Sequence, residues 1–236
     1  MPRKVAPDDP TRIYQNDILE RMSRSHPYEP LFAFIPTILG LSIWMIGWSP
    51  MVWYVNLSLV SIGLFYWTFM EYMLHRYLFH YEAKSSIGKH IMKLIHGIHH
   101  QFPNDTDRLV IPIGASFLSS LAFTLIYYTF TGGNLWAVLP LFIGTASGYL
   151  NYDWTHYATH HVKPRFSWEK TQRRRHMLHH FKYPDACFGV STGLWDWVFR
   201  TREIDAEKAV ATGKMRAYPS ENWKILDNTP NPSEHA

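Results

Sequence analysis

Ten of the 14 histidines lie in four short motifs whose spacing suits metal binding. Neutral imidazole is a strong ligand for iron, zinc and copper. Ten rings exceed what one metal ion can bind, so the motifs predict two metal ions. The ten candidate ligands are His75, His80, His96, His99, His100, His156, His160, His176, His179 and His180.

The spacing within each motif indicates which rings can point the same way. Residues three or four apart share one face of an α-helix. The HX2HH motifs at 96–100 and 176–180 and the HX3H motif at 156–160 each therefore suit one helix. His75 and His80 are five residues apart, about 140° around a helix of 3.6 residues per turn. This pair needs a helix end or a bend between its members, or two different metals.

Two acidic residues and one further histidine accompany these motifs. Asp153 precedes His156 by three residues, so its carboxylate could accept the second ring N–H of that ligand. Glu71 precedes His75 by four residues and could do the same, although either acid could instead be a polar group at a membrane interface. Adjacent helical residues point about 100° apart, so His161 cannot face the same metal as His160. His161 is therefore predicted to contact the ligands rather than to bind a metal. The remaining histidines, interpreted as solvated or structural, are His26, His90 and His235.

This chain of 236 residues contains a single cysteine, Cys187, which limits the kinds of cysteine-dependent site that it can form. It excludes a disulfide within the chain, a thiolate zinc finger and a cysteine-ligated iron–sulfur cluster. Metal chemistry must therefore use His, Asp or Glu. The length is that of one domain.

Four stretches contain no charged residue and no histidine: 31–51, 52–70, 109–131 and 132–152. The length of each stretch is close to the length needed to cross a bilayer core, which is about 20 apolar residues. Within each pair only a tight turn separates the stretches, so we predict two membrane hairpins. The expected fold is an all-α integral membrane protein with four transmembrane helices and a cytosolic helical cap that holds a dimetal centre. The alternative is a soluble protein with four buried core helices.

Lysine and arginine positions predict the orientation. Five precede the first stretch, five lie between the hairpins, 13 follow the last stretch, and the two turns carry none. Positive charge stays in the cytosol, so both termini and the central loop are expected there. The net charge of +4 suits anionic lipid rather than nucleic acid. The predicted segments are a cytosolic N-terminal segment (1–30), a first hairpin (31–70), a cytosolic histidine segment (71–108), a second hairpin (109–152), a histidine cap (153–201) and a polar tail (202–236).

The position of the motifs relative to the spans suggests the chemistry. His75 lies five residues beyond Met70 and His156 four beyond Tyr152. At about 1.5 Å per helical residue, the metals should lie within about 5–15 Å of the hydrocarbon boundary. A substrate can then come from the bilayer itself. Two redox metals held by nitrogen beside lipid favour oxygen activation against an unactivated C–H bond.

The motifs together resemble the fatty acid 2-hydroxylases, within the wider fatty acid hydroxylase and sterol desaturase superfamily. The resemblance covers about residues 67–201 and rests on HRYLFH (75–80), HGIHH (96–100), PNDTDRLVIP (103–112), YDWTHYATHH (152–161), HMLHH (176–180) and FGVSTGLWDWVF (188–199). It implies a dimetal membrane oxygenase whose ligands are the ten histidines. Tyr157 and Asp153 would shape the substrate pocket.

The resemblance also implies the reaction and its partners. One oxygen atom of O2 would enter carbon 2 of a long acyl chain, free or within a sphingolipid or other lipid. Iron would be the working metal, and zinc could fill the site in purified protein. No His-Pro-Gly-Gly haem motif is present, so we expect a separate cytochrome b5-like or ferredoxin-like electron donor at the cytosolic face. The membrane would be the endoplasmic reticulum in a eukaryote and the inner or plasma membrane in a bacterium.

Four positions depart from the family pattern. Ile113 stands where a second proline is common, and Arg175 where a tyrosine is common. Cys187 and Arg200 each replace a glycine. None of these residues is a candidate ligand, so the departures concern the substrate rather than the metals.

Two other functions remain open from the sequence. A superfamily relative acting on a sterol, a carotenoid or another acyl position would carry the same ligands around a different cavity. A metal transporter or sensor is the alternative outside enzymes, although a transporter would place polar ligands inside its spans.

Overall fold

The computed structural model describes residue 6 and residues 8–219, and every regular element in this range is helical. His235 and the predicted tail beyond residue 219 lie outside the described residues. The elements are α1 (Asp17–Met22), α2 (Glu29–Trp48), α3 (Trp53–Met73), the π-helix π1 (Leu74–Phe79), α4 (Ser86–Met92), the π-helix π2 (Lys93–Gly97), α5 (Ile98–Gln101), a 3-10 turn (Thr106–Arg108), α6 (Ile113–Phe130), α7 (Leu135–His161), α8 (Ser167–Phe181), α9 (Leu194–Val198) and α10 (Glu203–Ala211).

Polar side chains and glycines close the two turns between the long helices. Asn56 lies inside α3 and donates from Nδ2 to Ser49 Oγ (3.1 Å) and to the Met51 carbonyl (3.4 Å), which ties α3 to the end of α2. Between α6 and α7, Gly132 and Gly133 have φ values of 62° and 84°, where a side chain would be strained. The chain can therefore reverse within a few residues at both places.

Helix α7 is the centre of the bundle and packs against α2, α3 and α6. Its contact with α3 depends on glycines. A Cβ atom on Gly144 would lie 2.0 Å from the Val60 carbonyl oxygen, and one on Gly63 would lie 2.2 Å from the Leu141 carbonyl oxygen. Small residues at such crossings let the two backbones approach closely, as they do between membrane helices.

Within residue 6 and residues 8–219, three helical segments are long and apolar enough to span a membrane: Glu29–Trp48, Trp53–Phe79 and Thr106–Phe130. Their surfaces expose large apolar side chains; Ile46 is 81% exposed and Phe130 is 86% exposed. Helix α7, which occupies the fourth predicted span, does not reach the same apolar composition. Glycine, serine and threonine alternate with its apolar residues because much of its surface meets other helices rather than lipid.

The N-terminal segment is held against the chain before α6 by buried ion pairs. Arg24 Nε lies 2.8 Å from Glu20 Oε1, and Arg24 Nη1 lies 3.0 Å from Asp105 Oδ2. Arg108 Nη2 lies 2.6 Å from the same Glu20 oxygen. Since buried charges are costly when unpaired, this network specifies where the segment docks.

The chain after α7 covers the end of the bundle at which α3 and α7 carry their histidines. Helix α8 packs on α7, and a loop of residues 182–193 returns from α8 to α3. Gln172 Nε2 on α8 donates to the Val190 carbonyl at 2.5 Å. This bond anchors the loop to α8.

Candidate metal centre

The ten predicted histidines converge into two groups of five. Within each group, one ring nitrogen per residue lies within 4.8 Å of all the others. Cluster 1 contains His75, His80, His96, His100 and His179. Cluster 2 contains His99, His156, His160, His176 and His180.

Each HX2HH motif is divided between the two clusters. His96 and His100, four residues apart, enter cluster 1, whereas His99 between them enters cluster 2. The second motif does the reverse, because His176 and His180 enter cluster 2 and His179 enters cluster 1. Each cluster thus receives a pair from one motif, the middle histidine of the other, and two histidines from the end of a long helix. The sequence left this pairing open.

A π-helix explains how His75 and His80 serve one cluster. Element π1 begins directly after α3, and a π-helix closes its hydrogen bonds between residues five apart. Residues five apart are then neighbours on one face, and the two ring centroids are 5.1 Å apart. The spacing predicted a helix end, a bend or two different metals, and a local change of helix type, which was not among these, lets both residues join one cluster.

The distances between ring nitrogens fit a metal ion within each cluster. Seven Nε2–Nε2 pairs lie 2.8–3.1 Å apart, all within a cluster. Two nitrogens bound side by side at about 2.1 Å from a metal would be about 3.0 Å apart. An all-imidazole donor set suits iron, zinc, copper or nickel rather than calcium or magnesium. The residues present therefore fit a pair of transition-metal ions.

Burial keeps these rings neutral, as ligands must be. Burial lowers the pKa of His80 and of His156 to about 4. The pKa of His99, like that of His176 and of His180, lies far below its ordinary value, first because of burial and then because other imidazoles are close. At neutral pH each such ring offers a lone pair.

Two backbone carbonyls of the 182–193 loop orient ligands of cluster 1. The Nδ1–H of His75 donates to the Phe188 carbonyl at 2.6 Å, and that of His179 donates to the Ala186 carbonyl at 2.8 Å. These bonds direct the Nε2 lone pair of each ring inward. In cluster 2, the Nδ1 atoms of His99, His176 and His180 have no hydrogen-bond partner among the described residues.

Two buried carboxylates in turn hold this loop. Glu71 Oε1 accepts the backbone N–H groups of Val190 (2.7 Å) and Ser191 (2.8 Å), and its Oε2 accepts the Ser191 hydroxyl. Asp196 accepts the N–H groups of Phe188 and Gly189, both at 2.9 Å. The expectation that Glu71 bonds His75 directly was wrong, because the Phe188 carbonyl already occupies that Nδ1–H. Glu71 acts on the loop instead.

The role of Asp196 was missed from the sequence. Its motif, FGVSTGLWDWVF, was recognised, but nothing in the local pattern shows that a carboxylate on α9 caps N–H groups seven and eight residues earlier. Only a bend of the chain between Gly189 and Leu194 brings them together.

The other predicted site residues lie beside the clusters. Asp153 is 3% exposed and its carboxylate interacts with the Tyr149 hydroxyl. No hydrogen bond among the described residues joins Asp153 to His156. Tyr157 packs on His161 with ring centroids 5.1 Å apart, and its other ring contacts are with Tyr28 and Trp154. His161 contributes no nitrogen to either cluster. The described ring contacts of Tyr157 include no clustered histidine. The outlying His26 and His90 also lie outside both clusters.

A narrow cavity of about 20 Å³ reaches both clusters. His96 of cluster 1 and His99 and His156 of cluster 2 line it. Its other walls combine the polar Ser23, Asp107 and Arg108 with the apolar or aromatic Phe79, Leu94, Ile95, Ile98, Leu109, Val110, Ile111, Pro112 and Tyr152. This volume holds one water-sized molecule. An acyl chain can enter only if the walls part.

Comparisons with known proteins agree with this site. The family model described as fatty acid hydroxylase matches residues 60–201, which contain all ten clustered histidines. The chain is 37% identical over 179 residues to dihydroceramide fatty acyl 2-hydroxylase FAH1 of Arabidopsis thaliana, covering 69% of this chain and 75% of that protein. It is 33% identical to fatty acid 2-hydroxylase of Mus musculus, where the match covers 81% of this chain and about half (56%) of the mouse protein.

A solved structure, described as full-length scs7p with only the hydroxylase domain visible, has a similar fold. The TM-score is 0.75 at 29% sequence identity, and the match covers 80% of this chain and 71% of that one. The family predicted from the motifs is confirmed. The chain belongs to the fatty acid hydroxylase family.

Proposed function

We propose that the two histidine clusters hold two metal ions with which this fatty acid hydroxylase oxidises carbon 2 of a long acyl chain. The observation that carries the proposal is the pair of buried five-histidine clusters at the ends of membrane-length helices. The relatives named as 2-hydroxylases of fatty acids and of dihydroceramide acyl groups support the position and the lipid class.

The ten clustered histidines would hold the metals, with iron as the working ion. Bound iron supplies the activation of O2, which protein side chains alone cannot perform. The chain's own residues orient the histidine rings and shield the site from water. The Phe188 and Ala186 carbonyls set the tautomers of His75 and His179, and burial excludes bulk water. One oxygen atom of O2 enters the C–H bond. The other leaves as water with two electrons and two protons from outside.

The membrane arrangement proposed is four spans, with α7 as the fourth. The distribution of lysine and arginine supports a cytosolic location for both termini, the histidine segment and the cap. Exposed Trp48, Trp53 and Tyr54 at the opposite turn suit the aromatic belt of the far interface. The cap then faces a separate cytochrome b5-like or ferredoxin-like donor. The membrane is the endoplasmic reticulum in a eukaryote or the inner membrane in a bacterium.

The test is mass spectrometry of hydrolysed acyl chains from a host that expresses the protein together with a reductase and donor. A host that expresses His99→Ala at equal membrane abundance is the control. We expect 2-hydroxy acids to rise only with the unaltered protein. New hydroxyl groups at another carbon, on a sterol or on a carotenoid would overturn the assigned position and substrate. Equal 2-hydroxy acids from both hosts would overturn the site.

A further inference from the structure

Helix α4 and the start of π2 lack the tertiary packing that a short helix needs. None of the seven residues of α4 is buried. Ile87 is 73% exposed, Ile91 43% and Ile95 42%, and the three recur every four residues along one face. Isolated helices this short are unstable in water, so the exposed apolar face needs a partner.

The opposite face of the same segment is basic. Lys89 and Lys93 lie on it, Lys84 precedes it, and all three are exposed. Among the described residues none forms an ion pair with these lysines. No acidic residue occurs from 83 to 104. The segment thus has an apolar face, a cationic face and no internal counter-charge.

Helix α1 lies beside this segment and exposes a second apolar pair. The hydroxyl of Tyr14, just before α1, lies 3.0 Å from His90 Nε2 on α4. On α1 itself, Ile18 and Met22 are each 70% exposed and are four residues apart. We group the exposed apolar residues of the two short helices, Ile18, Met22, Ile87, Ile91 and Ile95, and term them the α1–α4 surface.

We propose that the α1–α4 surface lies in the membrane interface, with its isoleucines and methionine among the acyl chains and Lys84, Lys89 and Lys93 at anionic phospholipid headgroups. An apolar face opposite lysines is typical of helices that lie in the plane of a membrane. The segment is far too short to span the bilayer. Its free positive charge complements anionic lipid. Each lysine near the membrane surface contributes about 1 kcal/mol of binding free energy.

This placement has a consequence for the cavity at the clusters. Ser23, at the end of α1, and Leu94 and Ile95, at the end of the α4 segment, all line that cavity. The two elements placed at lipid depth therefore supply part of the cavity wall. A lipid would reach His96 and His99 without leaving the bilayer. This consequence rests on the proposed function, whereas the membrane contact itself holds for any reaction.

Spin labels on single added cysteines test the membrane contact. The native Cys187 is 1% exposed and does not compete for the label. Ile87→Cys and Ile91→Cys probe the apolar face, and Lys89→Cys on the opposite face is the matched control. The labelled protein is placed in nanodiscs of phosphatidylcholine with phosphatidylserine. We expect labels at 87 and 91 to be more accessible to O2 than to a water-soluble nickel complex, and the label at 89 to show the reverse.

Equal nickel access at 87 and 89 would overturn the proposal, and so would shielding of residue 87 from both reagents, which would indicate a protein partner. The labels report depth equally in the inactive His99→Ala background, so failure here is separable from failure of the proposed reaction. Headgroup binding is tested with spin-labelled phosphatidylserine. Its relative association should fall about fivefold for each lysine changed to glutamine at 84, 89 or 93. Lys208→Gln on α10 should leave it unchanged, and no loss with the triple variant would overturn the role of the lysines.

Discussion

The imidazole rings of His100 and His180 stack with centroids 4.1 Å apart and an interplanar angle of 19°. His100 belongs to cluster 1 and His180 to cluster 2, and each is the last histidine of its HX2HH motif. The two clusters therefore contact each other at this stacked pair.

Removing one histidine from a cluster should release the metal ion of that cluster and leave the metal ion of the other cluster bound. We expect His179→Ala and His99→Ala each to reduce bound metal from two ions per chain to one, because each variant breaks a different cluster. Metal analysis of purified protein measures this, and both variants should remain in the membrane. His26→Ala, outside both clusters, is the control. Two ions retained in either variant would contradict the ligand assignment.

The carboxylates that hold the 182–193 loop should influence cluster 1 selectively. Asp196→Ala frees the N–H groups of Phe188 and Gly189, so the carbonyl that orients His75 loses its support. We expect metal affinity at cluster 1 to fall about 10–100-fold, with cluster 2 affected less. Chelator competition followed by metal analysis measures both affinities.

Two further variants refine this test. Asp196→Asn keeps one acceptor oxygen and should lose less affinity than Asp196→Ala. Glu71→Ala should resemble Asp196→Ala, because it releases Val190 and Ser191 of the same loop. Equal weakening of both metals would instead indicate general loosening of the cap.

The close crossing of α3 and α7 should not tolerate a methyl group. Gly144→Ala places a Cβ atom 2.0 Å from the Val60 carbonyl oxygen, so the helices must move apart. Overpacking of this kind costs about 1–3 kcal/mol of the free energy of unfolding. Gly40→Ala on α2, with no atom within 4 Å of the new methyl, is the matched control. Thermal unfolding in nanodiscs should show a lowered midpoint for the first variant and an equal or raised midpoint for the second.

Arg200 occupies a backbone conformation that favours glycine. Its φ of 56° lies in the left-handed region, as does the φ of 58° at Cys187. The resemblance to the family implied a glycine at both positions. Arg200→Gly should raise the free energy of unfolding by about 1 kcal/mol, since the left-handed conformation costs a residue with a Cβ about that much. Arg200→Ala removes the same charge but keeps the strain, so a gain from alanine as large as from glycine would contradict the explanation.

Much of the site was accessible from local patterns. The ten histidines were identified because helical spacing repeats within each motif, and the apolar stretches were identified because they lack charge over a membrane thickness. Glu71 was singled out for its position one turn before His75, but His75 is not its hydrogen-bond partner. Its actual partners, Val190 and Ser191, lie 119 and 120 residues further along the chain, so no helical spacing could predict them.

The sequence by itself determined the candidate ligands, the family and the apolar segments, because side-chain type and spacing along one helix are local properties. Only the tertiary structure decided which histidines share a cluster. His80 and His179, 99 residues apart in sequence, have Nε2 atoms 3.0 Å apart, whereas His99 and its neighbour His100 enter different clusters. Each cluster consists of ring nitrogens from several helices. Which histidines it contains therefore depends on how those helices cross and on the π-helix π1, which follows α3.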